Sequence, residues 1–277
     1  MRLESHPPAP GHTAWSATGA GTPLVFIHGV GMSRAVWAPQ LAEFARDHRV
    51  IVYDMLGHGD SPLPPEQPAL ADYARQLRDL LDELGLPAAH VVGHSMGALV
   101  ALEFALGWPA RCLSVTALNA VFHRTPQQRA AVLARAESLD DIGSPASVDG
   151  TLARWFGAPV PAPLQATAAL AGALLRGVNR DGYARTYRLF ASADAAHADR
   201  LPGLRPPALF MTGELDPNSS PAMSQAMAAL VPGARAVVLP GERHMMSMAS
   251  PGPVNAELRA FLQSLASTDR AQPAEAE

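Results

Sequence analysis

The 277-residue sequence contains no lysine; all 21 of its basic residues are arginine. An enzyme that works through a lysine Schiff base is thereby excluded. There is one cysteine, Cys112, set in the apolar run "RCLSVTALN". A single thiol rules out an intrachain disulfide framework and a cysteine-rich metal centre, and its setting marks a buried structural residue. The histidines are scattered, with neither H-x-H nor H-E-x-x-H, so no metal is expected. "GVG" (29–31) lacks the third glycine and the acidic partner of a dinucleotide site, so no organic cofactor is expected. The N-terminal "MRLESHPPAPGHTAW" has no apolar signal core, and no window reaches the length of a membrane span. These absences point to the cytoplasm and to no membrane partner. A net charge of -4 leaves no basic footprint for nucleic acid. Oligomeric state is not readable.

What is present is enough apolar material for one large core, 48% hydrophobic against 17% charged. Four short runs punctuate the first half: "PLVFIHG" (23–29), "RVIVYDMLG" (49–57), "AHVVGHS" (89–95) and "CLSVTALN" (112–119). Continuous Val/Ile/Leu runs of this length predict strands buried on both faces. Between them lie helical patterns at 33–47, 70–85 and 96–109. The second places Leu70, Tyr73, Leu77, Leu80, Leu81 and Leu84 on one stripe and closes at Gly85. The third is apolar nearly all round, which predicts a buried helix. From about 121 to 204 the strand signature disappears into Ala- and Arg-rich helical pieces separated by Pro/Gly clusters such as "GAPVPAP" (157–163). It returns at "ALFMTGELD" (208–216) and "ARAVVLPGERH" (234–244), followed by a last helix at 254–266. The predicted class is α/β: a mostly parallel central sheet flanked by helices, with a helical cap insertion. The expected organisation is a core of 1–120 and 205–267, a cap of 121–204, and a disordered tail of 268–277.

The chemistry gathers at "HVVGHSMGALVALEFAL" (90–106), where Gly93-His94-Ser95-Met96-Gly97 fits G-x-S-x-G. Alone this is a weak motif; between a predicted buried strand and a predicted buried helix it has the context of a nucleophile elbow. A serine hydroxyl needs a base, and the base needs an orienting acid. In a strand–turn–helix setting of this kind the order is Ser, Asp or Glu, then His, each on a loop after a strand. Asp216 and His244 supply that order. The reading is Ser95 as nucleophile, His244 as base then acid, and Asp216 as the carboxylate that holds the imidazole. Glu214 is the rival acid, closer to the strand. Glu242 stands too near His244 to orient it easily. His94 is expected to point away from Ser95, and His123 and His197 lie in or beside the insertion. Asp54, which precedes the serine, is expected to order a loop. Two oxyanion donors are needed: the backbone of Met96, and Val30 in "HGVGMS" (28–33).

The segments "IHGVG", "DMLGHGDS", "GHSMG", "TGELDPNSSP" and "PGERHM" resemble the α/β-hydrolase superfamily over residues 23–119 and 205–266. Within it the C-terminal segments look closest to enol-lactonases, 3-oxoadipate enol-lactonases included, and carboxylesterases. The resemblance implies the same roles for Ser95, Asp216, His244, Val30 and Met96. Two departures stand out. Met245-Met246 follows the base, and Met55 stands where similar proteins often carry an arginine.

A serine at the elbow implies acyl transfer from a small carboxylic ester or enol-lactone, rather than the carboxylate chemistry of related dehalogenases and epoxide hydrolases. Two alternatives keep the same residues: a carbon–carbon bond hydrolase of a vinylogous diketone, and a non-catalytic binding module. The expected partner is a small-molecule substrate. Met32, Trp37, Trp155 and Met245 are expected to line its site. With Phe156, Tyr183, Tyr187 and Phe190 they suggest a modest apolar pocket. The insertion carries nine arginines against seven acids between 121 and 200. Among them Arg180, Arg185 and Arg188 are candidates for binding a substrate carboxylate.

Overall fold

A computed structural model describes residues 4–6, 11–139 and 145–271. Eight strands form one sheet: β1 (Glu4–His6), β2 (Trp15–Thr18), β3 (Thr22–Ile27), β4 (His48–Tyr53), β5 (Ala89–His94), β6 (Cys112–Leu118), β7 (Ala208–Gly213) and β8 (Arg235–Leu239). Their order is β1-β2-β4-β3-β5-β6-β7-β8. The first two pair antiparallel at one edge, β1 with β2 and β2 with β4; every later pairing is parallel. The continuous apolar runs lie in the parallel part because helices cover both its faces. The antiparallel edge is a strand pair that the sequence pattern does not announce.

The helices are α1 (Ala38–Phe44), α2 (Leu70–Glu83), α3 (Met96–Gly107), α4 (Pro126–Glu137), α5 (Pro145–Phe156), α6 (Gln165–Arg176), α7 (Arg180–Ser192), α8 (Pro221–Leu230), α9 (Met246–Ala249) and α10 (Pro251–Ala271). One apolar cluster joins α2, α3 and α8 to one face of the sheet; the other joins α1, α9 and α10 to the opposite face. α2 turns Leu70, Tyr73, Leu77, Leu80 and Leu81 inward, each buried leucine contributing about 1.5–3 kcal/mol. α3 buries residues all round, from Met96 to Ala105. The expected helix at 33–47 is split, a short 3₁₀ turn at Arg34–Trp37 preceding α1, with Pro39 in the first turn of α1. Cys112 is buried and unpaired, and burial pushes its thiol up to about 12.

Four helices, α4 to α7, separate β6 from β7. α4 packs on α7, and α5 on α6. Val132, Ala136 and Phe190 extend the first apolar cluster, whereas Val148, Phe156, Ala171 and Leu175 extend the second. α7 sits on the loop after β4 almost backbone to backbone. A Cβ on Gly182 would lie 2.2 Å from the carbonyl oxygen of Gly57. Nearby, the Tyr73 hydroxyl meets Thr186 Oγ1 at 2.7 Å. The chain past 267 continues as helix to Ala271, so the expected tail is helical for its first four residues; residues 272–277 lie outside those described. No helix among the described residues is long and apolar enough to cross a membrane.

Candidate active site

Only Ser95 separates the last residue of β5 from the first of α3. It holds φ 56° and ψ −115°, a conformation that L-residues avoid and that stores about 1–3 kcal/mol of strain. Its N–H is pinned to the Leu118 carbonyl at the end of β6, 2.9 Å away. The two glycines of the motif are steric requirements. A Cβ on Gly93 would stand 2.0 Å from the Gly97 carbonyl oxygen, and one on Gly97 would stand 2.3 Å from that of Ile27. The turn therefore lifts the serine above the strand end while α3 packs directly on the sheet. Met96 opens α3, so its N–H is among the amides that helix geometry leaves without an intrahelical acceptor. The helix N-terminus favours negative charge beside Ser95.

Asp216 and His244 come from the loops after β7 and β8, which are stitched together by backbone bonds from Glu214 N to Leu239 O (3.0 Å) and Leu215 N to Glu242 O (2.8 Å). His244 Nδ1 donates to Asp216 Oδ2 at 2.8 Å. Asn119 Nδ2 donates to the same oxygen at 2.8 Å, while Asp216 Oδ1 accepts from the N–H groups of Asn218 (2.8 Å) and Ser219 (3.2 Å). Burial acts to raise this carboxyl, but the adjoining imidazole and these donors outweigh it and hold it below the usual carboxylate range. With the Nδ1 proton committed to Asp216, the neutral imidazole of His244 carries a bare Nε2. Glu214 is exposed and accepts from Gly241 N–H (2.9 Å), so the structure gives the imidazole to Asp216. His94 turns away from the serine. Its Nε2 donates to the backbone carbonyl of His244 at 2.8 Å, bracing the loop from beneath.

Ser95 and His244 open onto a cavity of about 460 Å³ roofed by α4, α5 and α7. Val30 borders it from the loop after β3. Trp155 of α5 stacks on the His244 ring, centroids 5.9 Å apart and planes 29° from parallel. The wall also carries three arginines, Arg124, Arg135 and Arg154, and no carboxylate among the described residues. Arg124 lies under Phe190 and bonds Asp194, which is outside the cavity. Its Nη2 is nonetheless buried without a hydrogen-bond partner. Arg135 Nε donates to the Tyr187 hydroxyl at 3.1 Å. Arg154 bonds Gly150 O (2.9 Å) and Thr151 Oγ1 (2.8 Å). Burial, and then the like charge of Arg135, pull the Arg154 guanidinium down from its ordinary value.

The profile of the alpha/beta hydrolase fold family matches residues 22–251. The chain is an α/β-hydrolase. This hydrolase is 36% identical, over 88% of its own length and 92% of the relative's, to an (E)-2-((N-methylformamido)methylene)succinate hydrolase of Acinetobacter baylyi. It is 32% identical, over 89% and 93%, to a putative carbamate hydrolase, RutD, of Escherichia coli. Among solved structures it resembles the enol-lactonase of Burkholderia xenovorans, with TM-score 0.83 and 26% identity over 91% of this chain and 97% of that one.

The hydrolase's structure departs from the sequence expectations at the substrate side. Of the four residues expected to line the site, Trp155 borders the cavity. Trp37 is fully buried against Phe26 (5.0 Å) in the second apolar cluster and does not border the cavity. Met245 is buried in the same cluster, and Met32 faces a separate cleft beside Arg34 and Asp54. Sequence proximity to the loops does not fix which way a side chain turns. Arg180 and Arg188 are exposed, and Arg185 bonds Pro64 O at 2.7 Å, because the docked face of α7 is turned to the core. The arginines at the cavity are on α4, α5 and the loop before α4. The expected aromatic residues Trp155, Tyr183, Tyr187 and Phe190 do border the cavity; the three arginines add a cationic side to its wall. Asp54 accepts from Arg34 N–H (2.7 Å) and Asp60 N–H (3.1 Å), a loop-ordering arrangement. His197 is buried against Glu103 of α3 (3.0 Å). Asn119, which holds Asp216, carries no motif of its own. The only signal for it is a polar residue ending the apolar run of β6.

Proposed function

We propose that this hydrolase cleaves a small amide or ester whose leaving group carries a free dicarboxylate, through an acyl-enzyme on Ser95. Ser95 Oγ attacks the substrate carbonyl as His244 Nε2 takes its proton. Asp216 stays ionised and stabilises the imidazolium. The carbonyl electron pair moves onto oxygen, where the N–H groups of Met96 and Val30 receive it. Collapse expels the amine or alcohol with the proton from His244, leaving the ester on Ser95. Water, deprotonated by His244, reverses the sequence and frees the acid.

The observation that carries the dicarboxylate is the cavity wall. Three arginines, Arg124, Arg135 and Arg154, border a space with no carboxylate among the described residues that line it. The Arg124 charge is paired with Asp194, whereas Arg135 and Arg154 bond only neutral groups, and a substrate carboxylate would give these two a charged partner. The succinate in the Acinetobacter relative's name agrees with this chemistry. The ester and enol-lactone reading shares the acyl-enzyme and differs only in the leaving group. The carbon–carbon reading needs the same triad.

The test is a substrate panel with a fluorophosphonate probe. The expected result is labelling of Ser95, lost in Ser95→Ala, and highest kcat/KM on an N-acyl aminomethylene succinate. Lower values are expected for a neutral p-nitrophenyl ester and an enol-lactone. Cleavage of a vinylogous diketone with none of these turned over makes it a carbon–carbon hydrolase. Absence of labelling and turnover makes it a binding module.

A further inference from the structure

The loop that carries Val30 passes directly over the nucleophile: a Cβ on Gly29 would stand 3.2 Å from Ser95 Cβ. An oxyanion donor must be fixed to within fractions of an ångström, yet this stretch is glycine-rich, with Gly31 at φ 77°. Two buried histidines hold it. His28, on this loop, accepts from Met55 N–H at Nε2 (3.0 Å) and donates from Nδ1 to Gly29 O (2.8 Å). His58, on the loop after β4, accepts from Gly31 N–H at Nε2 (3.0 Å) and donates from Nδ1 to Leu56 O (3.1 Å). Each loop thus lends the other an imidazole acceptor, and the rings meet edge to face at 5.2 Å. An acceptor at Nε2 with a donor at Nδ1 fixes both rings in one neutral tautomer. Neither ring reaches the reacting atoms.

We infer that His58 is a positioning residue for the oxyanion hole, setting the Val30 amide by holding the next amide in the chain. This rests on the hydrolase reading of Ser95 above. The bond to Gly31 N–H fixes the Val30–Gly31 peptide and with it the backbone of Val30. A buried N–H without an acceptor turns to find one. An apolar side chain at position 58 therefore frees the loop next to the donor while leaving Ser95, Asp216 and His244 in place. Glutamine keeps an acceptor near the position of Nε2.

The experiment follows fluorophosphonate inactivation, in which the phosphoryl oxygen occupies the oxyanion hole, for the wild type, His58→Leu and His58→Gln. The expected result for His58→Leu is a fall in the inactivation rate constant of about tenfold or more, with the half-saturating probe concentration within about twofold. His58→Gln restores most of the rate. A His58→Leu variant that reacts at the wild-type rate overturns the inference, as do equal losses in both variants. If His58→Leu does not fold, nitrogen-15 shifts of the wild-type ring decide. A bare Nε2 is expected, and a protonated one overturns the assignment. Failure of the wild type to react at Ser95 removes the hydrolase reading itself, an outcome distinct from the others.

Discussion

The rim of the sheet and the helical wall above it hold their charged groups differently, although each keeps a buried polar atom without a partner, Asn119 Oδ1 at the rim and Arg124 Nη2 in the wall. At the rim, Asp216 takes four hydrogen bonds. His28 and His58 have both ring nitrogens engaged, and His94 is spent on the carbonyl of His244. In the wall, Arg124 keeps a buried nitrogen without a partner, and Arg154 is pulled down by burial and by its neighbour Arg135. Satisfied groups make a rigid frame that does not reorganise during reaction. Arginines on a cavity wall with no carboxylate among the described lining residues are suited to an anionic ligand. Turnover should therefore depend on the rim, and selection of substrate on the wall.

The largest effect is expected at the rim. Asp216→Asn keeps the shape but presents an amide where Nδ1–H needs an acceptor, favouring the tautomer that puts the proton on Nε2. The analogous exchange in a serine protease lowers kcat about 10⁴-fold. A similar loss in kcat, with KM little changed, is the expected outcome in steady-state kinetics. A tenfold or smaller loss would show that the imidazole is held by something other than this carboxylate.

A smaller effect is expected in the wall, and on a different parameter. Arg135→Leu and Arg154→Leu should each raise KM for a dicarboxylate by about 10–100-fold, the value of one charged hydrogen bond. The readout is the ratio of kcat/KM for the dicarboxylate to that for a neutral p-nitrophenyl ester, which should fall by that factor. An unchanged ratio would break the division of labour and leave the arginines as framework.

The same contrast explains what could be read from the sequence. The six parallel strands were legible because burial on both faces leaves no alternation to miss. β1 and β2 were not, being three and four residues long, with Ser16 and Thr18 buried in the second. Ser95, Asp216 and His244 stood out because steric and chemical needs restrict the residues allowed at those turns. The wall had no such restriction. Whether an arginine on α4, α5 or α7 faces the cavity depends on how each helix is rolled, and for α7 that was settled by the approach of Gly182 to Gly57, a contact no local pattern encodes. Asn119 escaped for the same reason: its partner Asp216 is brought to it by the β6–β7 pairing.

The smallest expected effect concerns acid stability, and it too belongs to the rim. Burial pushes His28 down to about 4, and His58 and His94 down to about 3, from 6.5. Lowered histidines are neutral when folded but take up protons when unfolded. Their contribution is complete above pH 6.5 and is lost as pH falls toward 4 and 3. Urea unfolding between pH 7 and 4 should therefore show stability falling with pH. In His94→Gln the amide can still donate to His244 O but takes up no proton. The slope should then drop by up to one proton, about 1.4 kcal/mol per pH unit. An unchanged slope would mean that His94 is already protonated in the folded state, and the reading of the rim as a set of neutral imidazoles would fail at the residue nearest the base.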